Sequence, residues 1–298
     1  MKLITFKKSS NEENYRIGAL GSDGEIVDLT SLASDENLSA GDLLSCFDLL
    51  SCFDLENDFL GKAKAALSQS DLPKFAKAGI HISAPVPRPG KIICIGLNYR
   101  DHALESGMAI PASPIIFSKF AACAAGANEP ILLPKDSTQV DYEAELAFVV
   151  GRRAKNVSRA DAFEYVLGYT NFNDVSARDF QFADGQWTRG KSCDTFAPMG
   201  EFIATQDEIE DPHSLRIQFR LNGQTLQDSN TNQLIFKIPE LIEFLSASIT
   251  LEPGDIVATG TPPGVGFARQ PPVFMKDGDA AEVEIEGLGI LTNQVKEN

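Results

Sequence analysis

The sequence predicts an α+β protein whose larger part is built on rolled or barrel-like mixed β-sheets with short helices, and three observations carry that prediction. Six segments, KIICIGL, PIIFSKF, AELAFVVG, LRIQFRLNG, DIVATG and AEVEIEGLG, are each 6 to 9 residues long and bounded by Gly, Pro or Asn, as strands are. Helical patterns are fewer, around 158–165 and in IPELIEFLSASI. The two kinds do not alternate as βαβ units would, and no GxGxxG follows a strand, so a nucleotide-binding parallel sheet is not predicted.

From the N-terminus, YRIGAL and EIVDLTSL are short amphipathic pieces, and a helical stretch is predicted from Asp58 to about Lys77. Between them LLSCFD occurs twice in tandem, at 43–48 and 49–54. Six residues are not a whole number of helical turns, so the copies face differently and read as a local duplication rather than a solenoid repeat. SAPVPRPG cannot continue a helix and reads as a linker, which divides the chain into a small α+β N-terminal domain, residues 1–85, and a larger strand-rich domain, residues 86–298.

Composition narrows the function classes. The chain has 298 residues, 43% of them hydrophobic, enough to bury a sizeable core. With 26 Lys and Arg against 42 Asp and Glu, a formal charge of −16 repels phosphate backbones and anionic lipid. No nucleic-acid or membrane partner is expected. MKLITFKKSSNEENYRIG has no apolar core of a secretory signal, so a cytoplasmic protein is expected. The five cysteines (Cys46, Cys52, Cys94, Cys123, Cys193) form no CxxC pair and read as reduced thiols; His81, His102 and His213 lie far apart. Any metal is therefore expected to be held by oxygen.

The chemistry concentrates in a few segments. In VDYEAELAFVVG a period of two puts Asp141, Glu143 and Glu145 on one face of a strand that runs on into FVV. Carboxylates side by side are hard to bury unless a cation offsets their repulsion; a strand with one wet face is the plainer reading. In NFNDVSARDFQ, Asp174, Arg178 and Gln181 share a face if the segment is a helical turn, with Asp179 pointing away; a surface ion pair between Asp174 and Arg178 explains it as well. NYRDHALESG places His102 and Glu105 three apart, a spacing at which a carboxylate orients an imidazole. RGKSCDTFAP supplies Lys191. ATGTPPGVG supplies Thr261 in a loop suited to a ligand anion or to a plain turn.

Taken together, NYRDH, PIIFSKF, DYEAEL, NDVSARDFQ, GKSCDTFAP, NTNQLIF, PGDIVATGTPPGVG and PPVFMKDGD form an ordered set between Lys91 and Val295. In this set the sequence resembles the fumarylacetoacetate hydrolase family, above all its domain-containing protein 2 branch. The resemblance implies a divalent ion, Mg2+ with Mn2+ or Ca2+ as alternatives, held by Glu143, Glu145 and Asp174. It implies substrate contacts from Arg178, Gln181 and Thr261, charge stabilisation by Lys191, and a His102–Glu105 dyad that activates water. It also implies a homodimer, to which Leu234, Ile235 and Phe236 are candidate contributors. The animal fumarylacetoacetase pattern has a further ligating Asp seven residues before the His; here that position is Ile95, which favours a smaller 2-oxo acid.

The activity so implied is Mg2+-dependent hydrolysis of a C–C bond in 2,4-dioxo acids of the acylpyruvate kind, with the ion stabilising an enolate. The alternative is an oxaloacetate-type decarboxylase or a keto–enol tautomerase of 2-oxo diacids. A non-catalytic oxo-acid binding protein ranks behind both. The stretch 99–110, with Gly107, Pro111 and Pro114 around it, is expected to act as a lid that brings His102 into place when ligand binds.

Overall fold

The computed structural model describes residues 1–9, 15–21, 23–34, 59–67, 72–105, 107–183 and 185–298. The LLSCFD repeat, with Cys46 and Cys52, lies outside them. The fold is mixed α+β, dominated by sheet. An 11-stranded sheet runs in the order Lys74–Ala76, Glu25–Asp28, Arg16–Leu20, Lys2–Lys7, Ile203–Thr205, Val166–Asn173, Ala144–Val150, Ile256–Ala258, Ile92–Gly96 and Ile115–Lys119, with His81–Ile82 paired to Lys2–Lys7. A second sheet of five strands runs Gln224–Asn230, Arg216–Leu221, Ala280–Ile285, Gly289–Glu297 and Ile131–Leu133. Each sheet has two unpaired ends among the described residues, so neither closes into the barrel that was one form of the expectation.

All six predicted strands form. The long strand Val166–Asn173 is not among the predicted ones, because Gly168, Asn171 and Asn173 break its apolar run. Those residues have tertiary reasons. A Cβ at Gly168 would come within 2.1 Å of the Ala204 carbonyl, so glycine lets Val166–Asn173 approach Ile203–Thr205. Asn171 donates from Nδ2 to Gly289 O at 3.0 Å and so ties this strand to the second sheet. Between the sheets the Tyr142 and Phe219 rings stack with centroids 4.0 Å apart, amid buried Leu146, Phe148, Phe172 and Val283.

The N-terminal strands join the same sheet, since Lys2 and Leu3 pair with Ala204 and Ile203 across the proline-rich segment at 84–90. The predicted helix from Asp58 to Lys77 is shorter, Phe59–Leu67, and Lys74–Ala76 is a strand; Pro73 disfavours helix at Leu72 before it. The pattern at 158–165 yields only a 3-10 turn, Ala162–Tyr165. Leu234 is fully buried in the core, and Ile235 and Phe236 are half-buried, so this run is not an exposed apolar patch.

Ile238–Ser248 is the longest helix described and buries Ile238, Leu241, Ile242 and Leu245 on one face. Side chains cap its start: Lys237 N–H donates to Glu240 Oε2 at 2.9 Å within the helix, and Ile238 N–H to His213 Nε2 at 3.1 Å from outside it. That second bond needs a neutral imidazole. Burial holds the His213 pKa below its ordinary value, with Lys237 acting the same way and Asp211 and Glu240 opposing. A depressed folded pKa means full stability above about pH 6.5 and loss as pH falls through the folded value. His213→Leu is expected to cost about 1 kcal/mol at neutral pH and to flatten the acid-side decline in urea unfolding. An unchanged slope between about pH 7.5 and 5.5 would refute the cap.

Candidate active site

The acidic residues meet where regular strand pairing breaks off. Tyr142 and Glu143 lie between Val140–Asp141 and Ala144–Val150 and belong to neither strand. Their backbone is held laterally: Glu143 N–H donates to Asn173 Oδ1 at 3.0 Å, Asp174 N–H to Glu143 O at 2.9 Å, and Ala144 N–H to Gln227 Oε1 at 2.9 Å. This clamp sets Asp174 beside Glu143, while the alternation along Ala144–Val150 turns Glu145 to the same side. Ligand oxygens of Glu143, Glu145 and Asp174 all lie within 4.8 Å of one another, and all three residues are buried.

Buried cations offset part of this charge. Lys191 Nζ lies 2.6 Å from both Glu143 Oε2 and Asp174 Oδ2. Lys119 Nζ lies 2.5 Å from Asp174 Oδ1 and donates to Val175 O at 2.9 Å. Arg178 spreads its donors over Asp141 Oδ2 at 2.9 Å, Glu143 Oε1 at 2.6 Å and Gln181 Oε1 at 2.9 Å. Burial pushes the Glu143 carboxyl up, but Arg178 and Lys191 outweigh it and hold it well below the usual carboxylate range. Glu145 goes the other way. Burial first, then the charges of Asp174 and Glu143, push it well above that range, and among the described residues only the Gly260 N–H, at 2.8 Å, donates to it.

Asp174 is not on the helical turn expected of it. It follows the strand Val166–Asn173 directly, and the helix Arg178–Ala183 begins four residues later, carrying Arg178 and Gln181 on one side. Asp179 points away, accepting from Ser137 Oγ at 2.8 Å. Thr261 Oγ1 donates to Ala144 O at 3.0 Å and accepts from Gln227 Nε2 at 2.9 Å. The alternation that puts Asp141 on the face of Glu143 and Glu145 gave it no partner, which is Arg178; Lys119, at the end of the apolar run PIIFSK, and Gln227, in the other sheet, were missed, the latter for want of any local signal.

The dyad residues come together on the helix Arg100–Glu105, where His102 Nδ1 lies 3.2 Å from Glu105 Oε2. Gly264 N–H donates to both Glu105 oxygens at 3.1 Å. The helix is tied down elsewhere, by Arg100 Nη1 to Leu234 O at 2.8 Å and by Ser229 Oγ to Asp101 Oδ2 at 2.5 Å. The contact between His102 and Glu105 lies within this one helix, and these remote partners hold the helix itself in place. Cys94 and Cys123 are buried and Cys193 half-buried, all as free thiols.

The family description Fumarylacetoacetate (FAA) hydrolase C-terminal matches residues 91–296. Oxaloacetate tautomerase fahd2, mitochondrial, from Xenopus laevis is 45% identical over 99% of this chain and 90% of its own length. A putative HpcE protein from Mycobacterium smegmatis shares 37% identity and a TM-score of 0.85, covering 100% of this chain and 99% of that one. Maleylpyruvate hydrolase from Sphingobium sp. SYK-6, in complex with manganese(II) ion and pyruvate, shares 31% identity and a TM-score of 0.81 over 100% of both chains. The Xenopus and rat relatives are mitochondrial by name, which overturns the cytoplasmic expectation. That expectation rested on the lack of a secretory signal core, which says nothing about other compartments.

Proposed function

Because the chain belongs to the fumarylacetoacetate hydrolase family, we propose that it interconverts the keto and enol forms of oxaloacetate-like 2-oxo acids at a divalent ion held by Glu143, Glu145 and Asp174. The observation that carries this reading is the carboxylate trio with oxygens within 4.8 Å. Carboxylate oxygens suit a hard cation such as Mg2+ or Mn2+, and among the described residues no cationic side chain is bonded to Glu145, so the site fits such an ion. Asp141 and the trio set four carboxylates against Lys119, Arg178 and Lys191. With all four ionised one negative charge is left over, and a divalent ion reverses it to one positive, so the loaded site attracts an anionic 2-oxo acid. When bound, the ion supplies Lewis-acid stabilisation of negative charge on the 2-oxo oxygen.

The chain's own residues divide the remaining work. His102, with Nδ1–H turned to Glu105, presents Nε2 as the acceptor for the proton at C3 of the keto acid and delivers it to the 2-oxo oxygen to give the enol, the reverse transfer regenerating the keto form. Lys191 offsets charge developing on the substrate oxygens. Arg178, tied to Asp141, Glu143 and Gln181, fixes the carboxylates at their spacing, and Gln227 does the same for Thr261. A second reading, hydrolysis of the C–C bond of a 2,4-dioxo acid, draws on the same dyad acting on water and on the maleylpyruvate hydrolase neighbour.

The test follows the loss of oxaloacetate enol absorbance, in the same preparation with EDTA and after added Mg2+ or Mn2+. Chelation is expected to abolish the acceleration and either ion to restore it. Full activity in metal-free protein would sink the proposal.

A further inference from the structure

Among the described residues Arg269 has no carboxylate within ion-pair distance, although the chain carries a formal charge of −16. Its guanidinium is spent on backbone instead: Nη1 donates to Leu226 O at 2.9 Å and to Gly264 O at 3.3 Å. Tyr142, its ring stacked on Phe219, donates from its hydroxyl to the same Gly264 carbonyl at 3.2 Å. Gly264 is therefore pinned at its carbonyl from two sides, while its N–H meets both oxygens of Glu105.

That pin matters because of the backbone at Gly264. Its φ is +100°, and a Cβ there would come within 2.1 Å of Leu226 O. Only glycine fits, and glycine alone has little to hold it in one conformation. The carbonyl lies in the peptide plane after the Cα and the N–H in the plane before it, so a grip on the carbonyl fixes the Cα from which the N–H reaches Glu105 and limits how far that N–H can swing. Two residues on, Gly266 N–H donates to Asp141 Oδ1 at 2.7 Å and Phe267 N–H to Asp141 Oδ2 at 3.1 Å. One short loop therefore touches the carboxylate that orients His102 and the carboxylate that anchors Arg178.

We infer that Arg269 is a positioning residue: by gripping the Leu226 and Gly264 carbonyls it aims the Gly264 N–H at Glu105 and so holds the His102–Glu105 pair in working geometry. The inference deepens the proposed function and rests on it for its effect on turnover, but not for its effect on structure.

Arg269→Met removes the guanidinium and keeps the apolar stem; Arg269→Lys restores one charged donor. With Mg2+ present, three quantities are read: kcat on oxaloacetate, the dissociation constant for oxalate, and amide hydrogen exchange at residues 100–105. Arg269→Met is expected to lower kcat by about 10- to 100-fold, the cost of a slight misplacement of a reacting group. Exchange at 100–105 is expected to quicken, oxalate affinity to stay within about 2-fold, and Arg269→Lys to recover part of the rate. Unchanged exchange at 100–105 overturns the inference, as does a loss of oxalate affinity as large as the loss in kcat. Faster exchange with unchanged kcat, alongside unchanged kcat in His102→Ala, upholds the positioning role and removes the dyad from the chemistry.

Discussion

Glu145→Gln is expected to abolish the metal-dependent activity and weaken metal binding by more than about 100-fold, while leaving the metal-free protein at least as stable as the wild type. Changes to groups that merely support a ligand cost about 10- to 100-fold in metal affinity, and Glu145 is placed as a ligand itself. The unusual half of the expectation is the stability. Burial first, then the charges of Asp174 and Glu143, push the Glu145 carboxyl well above the usual range, and among the described residues its one donor is the Gly260 N–H at 2.8 Å. An amide keeps that bond through its oxygen and removes the repulsion.

Asp174→Asn makes the contrast. Asp174 pairs with Lys119 at 2.5 Å and with Lys191 at 2.6 Å, both buried, so removing its charge leaves cations short of a partner. A broken buried pair costs about 3–5 kcal/mol. Urea unfolding of both variants without metal, then with Mg2+, reads all of this. Wild type should gain about 2.7 kcal/mol at a hundredfold excess over its dissociation constant, and Glu145→Gln nothing. A gain in Glu145→Gln equal to wild type would remove Glu145 from the ion's ligands.

His102→Ala is expected to lower dyad-dependent turnover by roughly 10²–10⁴-fold, the usual size of a general-base contribution. The structure makes this the sharpest test of which reaction the site performs. Glu105 Oε2 accepts at 3.2 Å from Nδ1 and thereby leaves Nε2 as the basic nitrogen. Equal losses on oxaloacetate tautomerisation and on acylpyruvate cleavage would make His102 the proton carrier of an isomerase. Loss of cleavage alone would assign the dyad to water activation and leave tautomerisation to the ion and Lys191. Glu105→Gln is expected to do less than His102→Ala, since the amide still accepts from Nδ1–H and Gly264 N–H; the two rates, taken with saturating Mg2+, check the order. An unaltered rate on both substrates in His102→Ala would reject the dyad.

Whatever repeats within one element could be read without coordinates. Alternation predicted the strand Ala144–Val150 and the common side of Glu143 and Glu145; the spacing of three predicted that His102 and Glu105 touch; Gly, Pro and Asn marked the ends of six strands. These are short-range facts, determined by backbone geometry over a few residues. Even there the reading slipped where tertiary contacts override local preference: Asp174 sits past a strand, not on a helix, because its N–H bonds to Glu143 O while the Asn173 side chain takes the Glu143 N–H.

What the tertiary structure alone decided is which groups neutralise the acidic site and what holds the dyad. Gly260 and Glu145 are 115 positions apart, Lys119 and Asp174 are 55, Gly264 and Glu105 are 159. No periodicity spans such separations, because each contact depends on how two sheets and their loops pack against one another. The same holds for the N-terminal strands, whose place beside Ile203–Thr205 is a matter of pairing between segments about 200 residues apart. The sequence by itself determined the common side of Glu143 and Glu145 and the sheet-rich class. Packing decided the charge balance, the anchoring of Arg178 on Asp141, and the grip of Arg269 on Gly264, since burial is where an unpaired charge or an unheld glycine becomes costly.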